Sequence, residues 1–292
     1  MSNEALHDIV KDLQEKQGIR VEGFQFVSGG CINSTVKLTC GVKNYFLKWN
    51  DGNRYPAMFQ TEKMGLELLA STKTIKIPQV MALGEAAGQS YLMLEYIKTS
   101  DRSDVAWEKF GGQLAYMHQH SQEKFGLEID NYIGSLKQSN RQHSNWIDFF
   151  CAERLEAQVK LGKDTGKVRQ EIARGFKILY KRLSDLIPEQ KEPALLHGDL
   201  WGGNLLMDER GETFIFDPAV YYGHREAELA YTRLFDRFPD SFYRGYEEVY
   251  PLEKGWQQRA DLFNLYPLLV HVNLFGGGYL SQVQSILHKW AK

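Results

Sequence analysis

Leu195-Leu196-His197-Gly198-Asp199-Leu200-Trp201-Gly202-Gly203-Asn204, followed by Ile215-Phe216-Asp217-Pro218-Ala219, is the stretch around which the rest of this 292-residue chain falls into order. Asp199 and Asn204 are five positions apart, and Asp217 follows Asn204 by thirteen. Two carboxylates and an amide offer the hard oxygens that hold Mg²⁺ when phosphates complete its shell, with one carboxylate left over to face an acceptor hydroxyl. Gly, Asn and Asp also gather in turns for backbone reasons alone. Either piece by itself reads as turn residues, whereas the two together at this spacing read as chemistry. The residues between them form short apolar runs on either side of Glu209-Arg210-Gly211, the pattern of a small hairpin.

The same spacing matches the HRDxxxxN and DFG elements of protein kinases, with His197-Gly198-Asp199 in place of the first and Asp217-Pro218-Ala219 in place of the second. The arginine of the first element is absent here, which predicts no switching by an activation-loop phosphate. Chemistry of this kind needs a lysine on the third strand of a small lobe and a helix carboxylate to pair with it. Upstream, apolar residues at helical intervals predict a lead helix over 3–17, and β-branched and aromatic runs predict strands at Gly23–Val27, Thr35–Cys40 and Asn44–Trp49. Lys48 lies in the third of these. A helix over Pro56–Ser71 offers Glu62 and Glu67. Glu62 falls within the apolar stripe of Phe59, Leu66 and Leu69, where a carboxylate requires a cation, so Glu62 is the expected partner. Between the first two strands, Gly29 and Gly30 of Ser28-Gly29-Gly30-Cys31-Ile32-Asn33-Ser34 permit close backbone approach to phosphate. Strand, turn and strand over 77–97 end at Met93-Leu94-Glu95-Tyr96-Ile97, where backbone groups are expected to read the adenine edge of ATP.

Beyond residue 101 the pattern is mainly helical, with candidates over 104–120, 144–161 and 166–187. The expectation is therefore an α+β, bilobal protein-kinase-like fold: an N-terminal ATP-binding lobe over 1–97, with an antiparallel sheet plus helix, and a mainly α catalytic and substrate-binding lobe over 98–292. A formal net charge of −2 gives no electrostatic reason to expect nucleic acid or an anionic membrane as partner. No apolar run reaches the ~18 residues of a bilayer span, and the polar start predicts a cytoplasmic protein. Cys31, Cys40 and Cys151 are widely spaced and suggest neither a disulfide framework nor a zinc site.

At HGDLWGGN the chain resembles the fructosamine kinases, or ketosamine-3-kinases, within the wider aminoglycoside phosphotransferase and choline kinase group. The resemblance runs through SGGCINS, FLKW, MFQTE, LLHGDLWGGN, IFDPAVYYGHREAELA and FGGGY, nearly the whole chain. It implies that Asp199 is the catalytic base, that Asn204 and Asp217 bind Mg²⁺, that Lys48 and Glu62 orient the phosphates of ATP, and that Glu95, Tyr96 and Ile97 form the hinge. It also implies phosphorylation of the C3 hydroxyl of ribulosamines or fructosamines, free or protein-bound, leading to deglycation.

Trp201 offers an apolar face for a sugar or a cationic amine. His224 is expected either to hydrogen-bond substrate hydroxyls or to cap local backbone. Phe275 and Gly276–Gly278 read as a helix ending. Cys31, in an electropositive loop, is the one cysteine with a possible redox role. The alternatives are an aminoglycoside- or choline-type kinase and a catalytically inactive nucleotide-binding scaffold; the second would lack one of the five groups Lys48, Glu62, Asp199, Asn204 and Asp217, and all are present.

Overall fold

A computed structural model describes residues 3–27 and 32–291. The chain divides into two compact units, Met1–Ser103 with Gly203–Asp217, and Asp104–Gly202 with Pro218–Lys292. This division differs from the single boundary expected at 97/98. The hairpin between the two motifs packs with the first unit, because Ile215 N–H donates to Lys76 O at 3.1 Å and Ser100 N–H to Met207 O at 2.8 Å.

The first unit is built on a five-stranded antiparallel sheet of order β1-β2-β3-β5-β4, comprising β1 (Gly23–Phe26), β2 (Ser34–Cys40), β3 (Lys43–Asp51), β4 (Val80–Ala86) and β5 (Gln89–Glu95). Side chains alternate across such a sheet, so neighbouring residues of β3 and β5 serve different layers. Leu47, Trp49, Tyr91 and Met93 form one core with Leu6, Ile9 and Leu13 of α1 (Asn3–Gln17). Tyr91 adds a 2.7 Å hydrogen bond from its hydroxyl to Asp12. Leu92 and Leu94 join Phe59 and Leu66 of α2 (Met58–Ser71) in a second core. Lys48, between Leu47 and Trp49, is thereby directed to the α2 layer. β9 (Leu205–Met207) and β10 (Thr213–Ile215) complete the unit as the expected hairpin, pairing Leu205 with Ile215.

The second unit is mainly helical. Its core gathers on α10 (Trp256–Phe275), which is apolar on most sides and buried along its length. α3 (Asp104–Met117) and α9 (Asp240–Val249) meet at Gly111 and Gly245, where a Cβ would come within 1.9 Å of Phe242 O and Glu108 O respectively. Expected helix 144–161 is interrupted: Trp146–Phe149 and Ala157–Asp164 are α-helical, with a π-helical stretch over Phe150–Glu156. Expected helix 166–187 begins at Gln170 and breaks after Tyr180. Four short strands were not foreseen. Asn131–Ile133 pairs with Leu136–Gln138, and Ala194–Leu196, which leads into His197, pairs with Tyr221–Gly223. Among the described residues, no helix is long and apolar enough to cross a membrane.

Candidate active site

Lys48 is 1% exposed. A lone buried ammonium would be costly, and the fold supplies two counter-charges: Lys48 Nζ is ion-paired with Glu62 of α2 and with Asp217. Burial works against the lysine's charge, but the two carboxylates outweigh it and hold its pKa above the ordinary lysine value. Burial acts in the other direction on Glu62. Together with the nearby Asp217 charge it raises that carboxyl to about 7, against the pull of Lys48. Glu67 instead pairs with Lys63 at 2.7 Å, mostly in solvent.

Asp217 and Asn204 come together through the β9–β10 hairpin. Asn204 precedes its first strand, Phe216 follows its second, and Phe216 N–H donates to Asn204 O at 3.1 Å. Asp217 has φ of +55°, a left-handed conformation that costs a non-glycine residue about 1–3 kcal/mol and that persists at functional positions when surrounding structure imposes it. Near the strand end, Glu95 N–H donates to Gln79 O at 2.8 Å, Ile97 is buried, and the Tyr96 ring lies 4.8 Å from Lys37 Nζ. Gly29, Gly30 and Cys31 lie outside the described residues. The other two cysteines are free thiols, and burial pushes Cys151 up to about 12, which leaves it unreactive.

In the second unit, Asp199 accepts a hydrogen bond from Tyr231 OH at 2.7 Å. Burial and the Asp199 charge hold the Tyr231 hydroxyl well above its ordinary pKa, so it remains a donor. The backbone ahead of Asp199 is held by Glu228 of α8 (Arg225–Tyr231). This carboxylate is 3% exposed, and it accepts from Gly198 N–H at 2.7 Å and from His197 N–H at 3.0 Å. His118 Nε2 reaches the same carboxylate at 3.1 Å, and His118 Nδ1 meets Tyr246 OH at 2.8 Å. An acidic acceptor on one side and a hydroxyl on the other place the ring proton on Nε2. Gly198, at φ +83°, passes so close to Ala219 that a Cβ would lie 2.1 Å from its carbonyl oxygen. Beyond Tyr231 runs an aromatic series: Phe235 at 6.0 Å from Tyr231, then His271 at 4.7 Å from Phe235 and Tyr279 at 5.0 Å from His271.

Of the two readings of His224, its contacts are those of a backbone cap: it is buried against Trp146 and Phe263, its Nδ1 accepts from Glu226 N–H at 3.2 Å at the start of α8, and its ring also engages the backbone of Pro188. Burial lowers its pKa to about 3, so it is neutral. Trp201 is half-buried. Gly276, at φ +72°, ends α10 as expected, its N–H donating to Val272 O at 2.9 Å. Sequence reasoning missed Glu228, although the argument that singled out Glu62 was available for it, since Glu228 sits beside Leu229 and Ala230 and a buried carboxylate must have partners.

The fructosamine kinase family model matches residues 4–292. A probable ketoamine kinase of Synechocystis sp. is 41% identical over 273 residues, covering 93% of this chain and 91% of that protein. The chloroplastic protein-ribulosamine 3-kinase of Arabidopsis thaliana is 37% identical over 284 residues, covering 96% and 86%. Among solved structures, a Haemophilus somnus protein assigned as a fructosamine-3-kinase superposes with a TM-score of 0.87 at 30% identity, covering 98% of this chain and 97% of that one. A thermostable mutant of the aminoglycoside phosphotransferase APH(4)-Ia, in a ternary complex with AMP-PNP and hygromycin B, shares the fold at a TM-score of 0.69 and 18% identity, covering 96% of this chain and 98% of that one.

Proposed function

The chain belongs to the fructosamine kinase family, and we propose that it is an ATP- and Mg²⁺-dependent ketosamine 3-kinase that phosphorylates the C3 hydroxyl of ribulosamines or fructosamines, free or attached to protein lysines. The observation that carries the kinase part is the buried Lys48 ammonium held by Glu62 and Asp217, with Asn204 at the open end of the hairpin that delivers Asp217. The substrate part is supported by the kinship with proteins named ketoamine and ribulosamine kinases.

The donor set suits magnesium. Among the described residues no cluster of three or more His, Cys, Asp or Glu is poised to hold a metal unaided, and Mg²⁺ in kinases takes one or two carboxylates and fills the rest of its shell with phosphate oxygens and water. Asp217 and Asn204 would hold it. Bound Mg²⁺ would neutralise charge developing on the phosphate oxygens. Lys48, fixed by Glu62, would bind the α- and β-phosphates. Asp199 would accept the proton of the acceptor hydroxyl, with the Tyr231 hydrogen bond fixing its orientation. Trp201 and the aromatic series from Tyr231 to Tyr279 offer faces for the sugar and its cationic amine. A phosphate at C3 is allylic in the 1,2-enaminol tautomer. Its C3–O bond can therefore break with loss of inorganic phosphate, and hydrolysis then releases the amine, the chemistry of deglycation.

An ATP-coupled assay across ribulosamine, erythrulosamine, fructosamine, aminoglycoside and choline acceptors, with phosphate position read by NMR, tests the assignment. Turnover is expected on ketosamines with phosphate on C3. Turnover confined to an aminoglycoside or choline would overturn the substrate reading. Asp199→Asn should reduce turnover by about 10²–10⁴-fold or more while leaving nucleotide binding intact; retained turnover would refute the role of Asp199.

A further inference from the structure

Asn131–Ile133 (β6) and Leu136–Gln138 (β7) form a hairpin too short to be stable by itself, yet it buries two amide side chains almost completely, Asn131 at 5% and Gln138 at 2% exposure. Both are aimed at one piece of backbone. Asn131 Nδ2 donates to Val220 O at 2.8 Å, and Gln138 Nε2 donates to Ala219 O at 3.0 Å. Their remaining atoms are also engaged. Gln138 Nε2 donates to Asn131 Oδ1 at 2.8 Å, and Gln138 Oε1 accepts from Tyr266 OH. Asn131 Oδ1 accepts a second bond from Asn140 Nδ2 at 3.0 Å, and Asn140 Oδ1 accepts from the fully buried Arg154 at 2.7 Å.

The carbonyls so held are not incidental. Ala219 lies two residues beyond Asp217 in the chain. Its N–H donates at 2.9 Å to the carbonyl of His197, two residues before Asp199. The missing Cβ of Gly198 leaves no slack against Ala219 O. A shift of Ala219 therefore moves the backbone that leads into Asp199.

We propose that Gln138 and Asn131 are positioning residues for phosphoryl transfer: by binding the Ala219 and Val220 carbonyls they set the backbone that, through His197, aims Asp199. The proposal rests on the role given above to Asp199.

Gln138→Met keeps side-chain length and removes both donated bonds. Gln158→Met is the matched control, since Gln158 is equally buried but accepts from Asn273 Nδ2 elsewhere in the unit. For Gln138→Met, kcat on the ketosamine should fall about 10- to 100-fold, as small misplacements of catalytic groups do. KM for ATP and the Mg²⁺ concentration for half-maximal rate should both stay within about twofold, so that the loss falls on kcat, the signature of a lost transition-state interaction. Gln158→Met should lower the melting temperature with kcat kept. If Gln138→Met fails to fold, Tyr266→Phe, which removes only the hydroxyl that orients Gln138, should show a smaller change in the same direction. Parental kcat in the folded variant, or equal losses of kcat in the two glutamine variants at matched melting temperature, would overturn the proposal. Asp217→Asn, measured in parallel, separates the two levels. If Asp217→Asn turns over normally, the site assignment fails; if it is inactive while Gln138→Met is normal, only the positioning role fails.

Discussion

Replacing Glu228 by glutamine changes one atom of a carboxylate that three donors share. Gly198 N–H approaches one oxygen at 2.7 Å, while His197 N–H and His118 Nε2 approach the other at 3.0 and 3.1 Å. Whichever way the amide is turned, its NH₂ confronts at least one buried N–H, and the bonds that survive lose their charge assistance. Hydrogen bonds to a charged group contribute about 1.5–3 kcal/mol each, and a buried donor left without acceptor costs about 1–3 kcal/mol. The substitution should therefore destabilise the protein by about 3–5 kcal/mol, a large share of the ~5–15 kcal/mol typical of a folded protein. Urea unfolding followed by circular dichroism measures this, and kcat should fall in the same variant because the backbone ahead of Asp199 loses its anchor. The pH dependence gives a second reading. Burial favours the neutral carboxyl, but the hydrogen bond and charge of His118, the charge of His197 and the Gly198 N–H outweigh it and hold Glu228 below the ordinary carboxylate value. A carboxylate depressed in the folded state stabilises above its unfolded pKa and loses that contribution as pH falls through the folded one. The parent should thus lose stability on acidification to an extent that the glutamine variant does not. A change below about 1 kcal/mol at neutral pH, with kcat unaltered, would refute the anchoring argument.

Lys48→Met should reduce turnover by about 10²-fold or more, since the phosphates lose their cation. It also leaves Glu62, already raised to about 7 by burial, without its counter-charge. A carboxyl raised in the folded state binds protons that the unfolded chain does not, so stability of this variant should fall as pH rises above the ordinary glutamate range, measurable as a declining melting temperature. Gly198→Ala should impair folding and activity together, by about 2 kcal/mol or more, because a Cβ would lie 2.1 Å from Ala219 O at a φ of +83°. His224, neutral in the fold with its pKa lowered to about 3, leaves the unfolded chain the better proton binder below pH 6.5. Stability should decline by up to about 1.4 kcal/mol per pH unit in that range. His224→Asn, which can still accept from Glu226 N–H, should flatten the acid limb of a melting-temperature profile.

The parts of the site that were legible in the sequence obey local periods. Alternation along β3 separates Lys48 from Leu47 and Trp49, and the apolar stripe of α2 distinguishes Glu62 from Glu67, so both sides of the ion pair follow from spacing alone. What stayed hidden depends on partners far away in the chain. Asp217 is 169 positions from the lysine it meets, and Glu228 is 30 and 31 positions from the amides it receives. The three-residue strands around Asn131, Gln138 and Ala194 have too little periodicity to register, and they persist because tertiary hydrogen bonds hold them. His224 was ambiguous for a similar reason. A histidine beside a catalytic motif and a histidine that caps a helix look the same until Trp146 and Phe263 are seen packed on the ring.

The placement of Gly203–Asp217 with the first unit has a consequence for synthesis on the ribosome. A nascent chain that has released only its first hundred residues can form the five strands, α1 and α2, but Lys48 then has Glu62 as its sole counter-charge and Lys76 O has no Ile215 N–H to accept. About three-quarters of the protein must emerge before that vacancy is filled. The amino-terminal sheet therefore begins to form first but is completed only after Asp104–Gly202 of the second unit has emerged, and a stop codon ahead of Asp217 should yield a fragment destined for proteolysis.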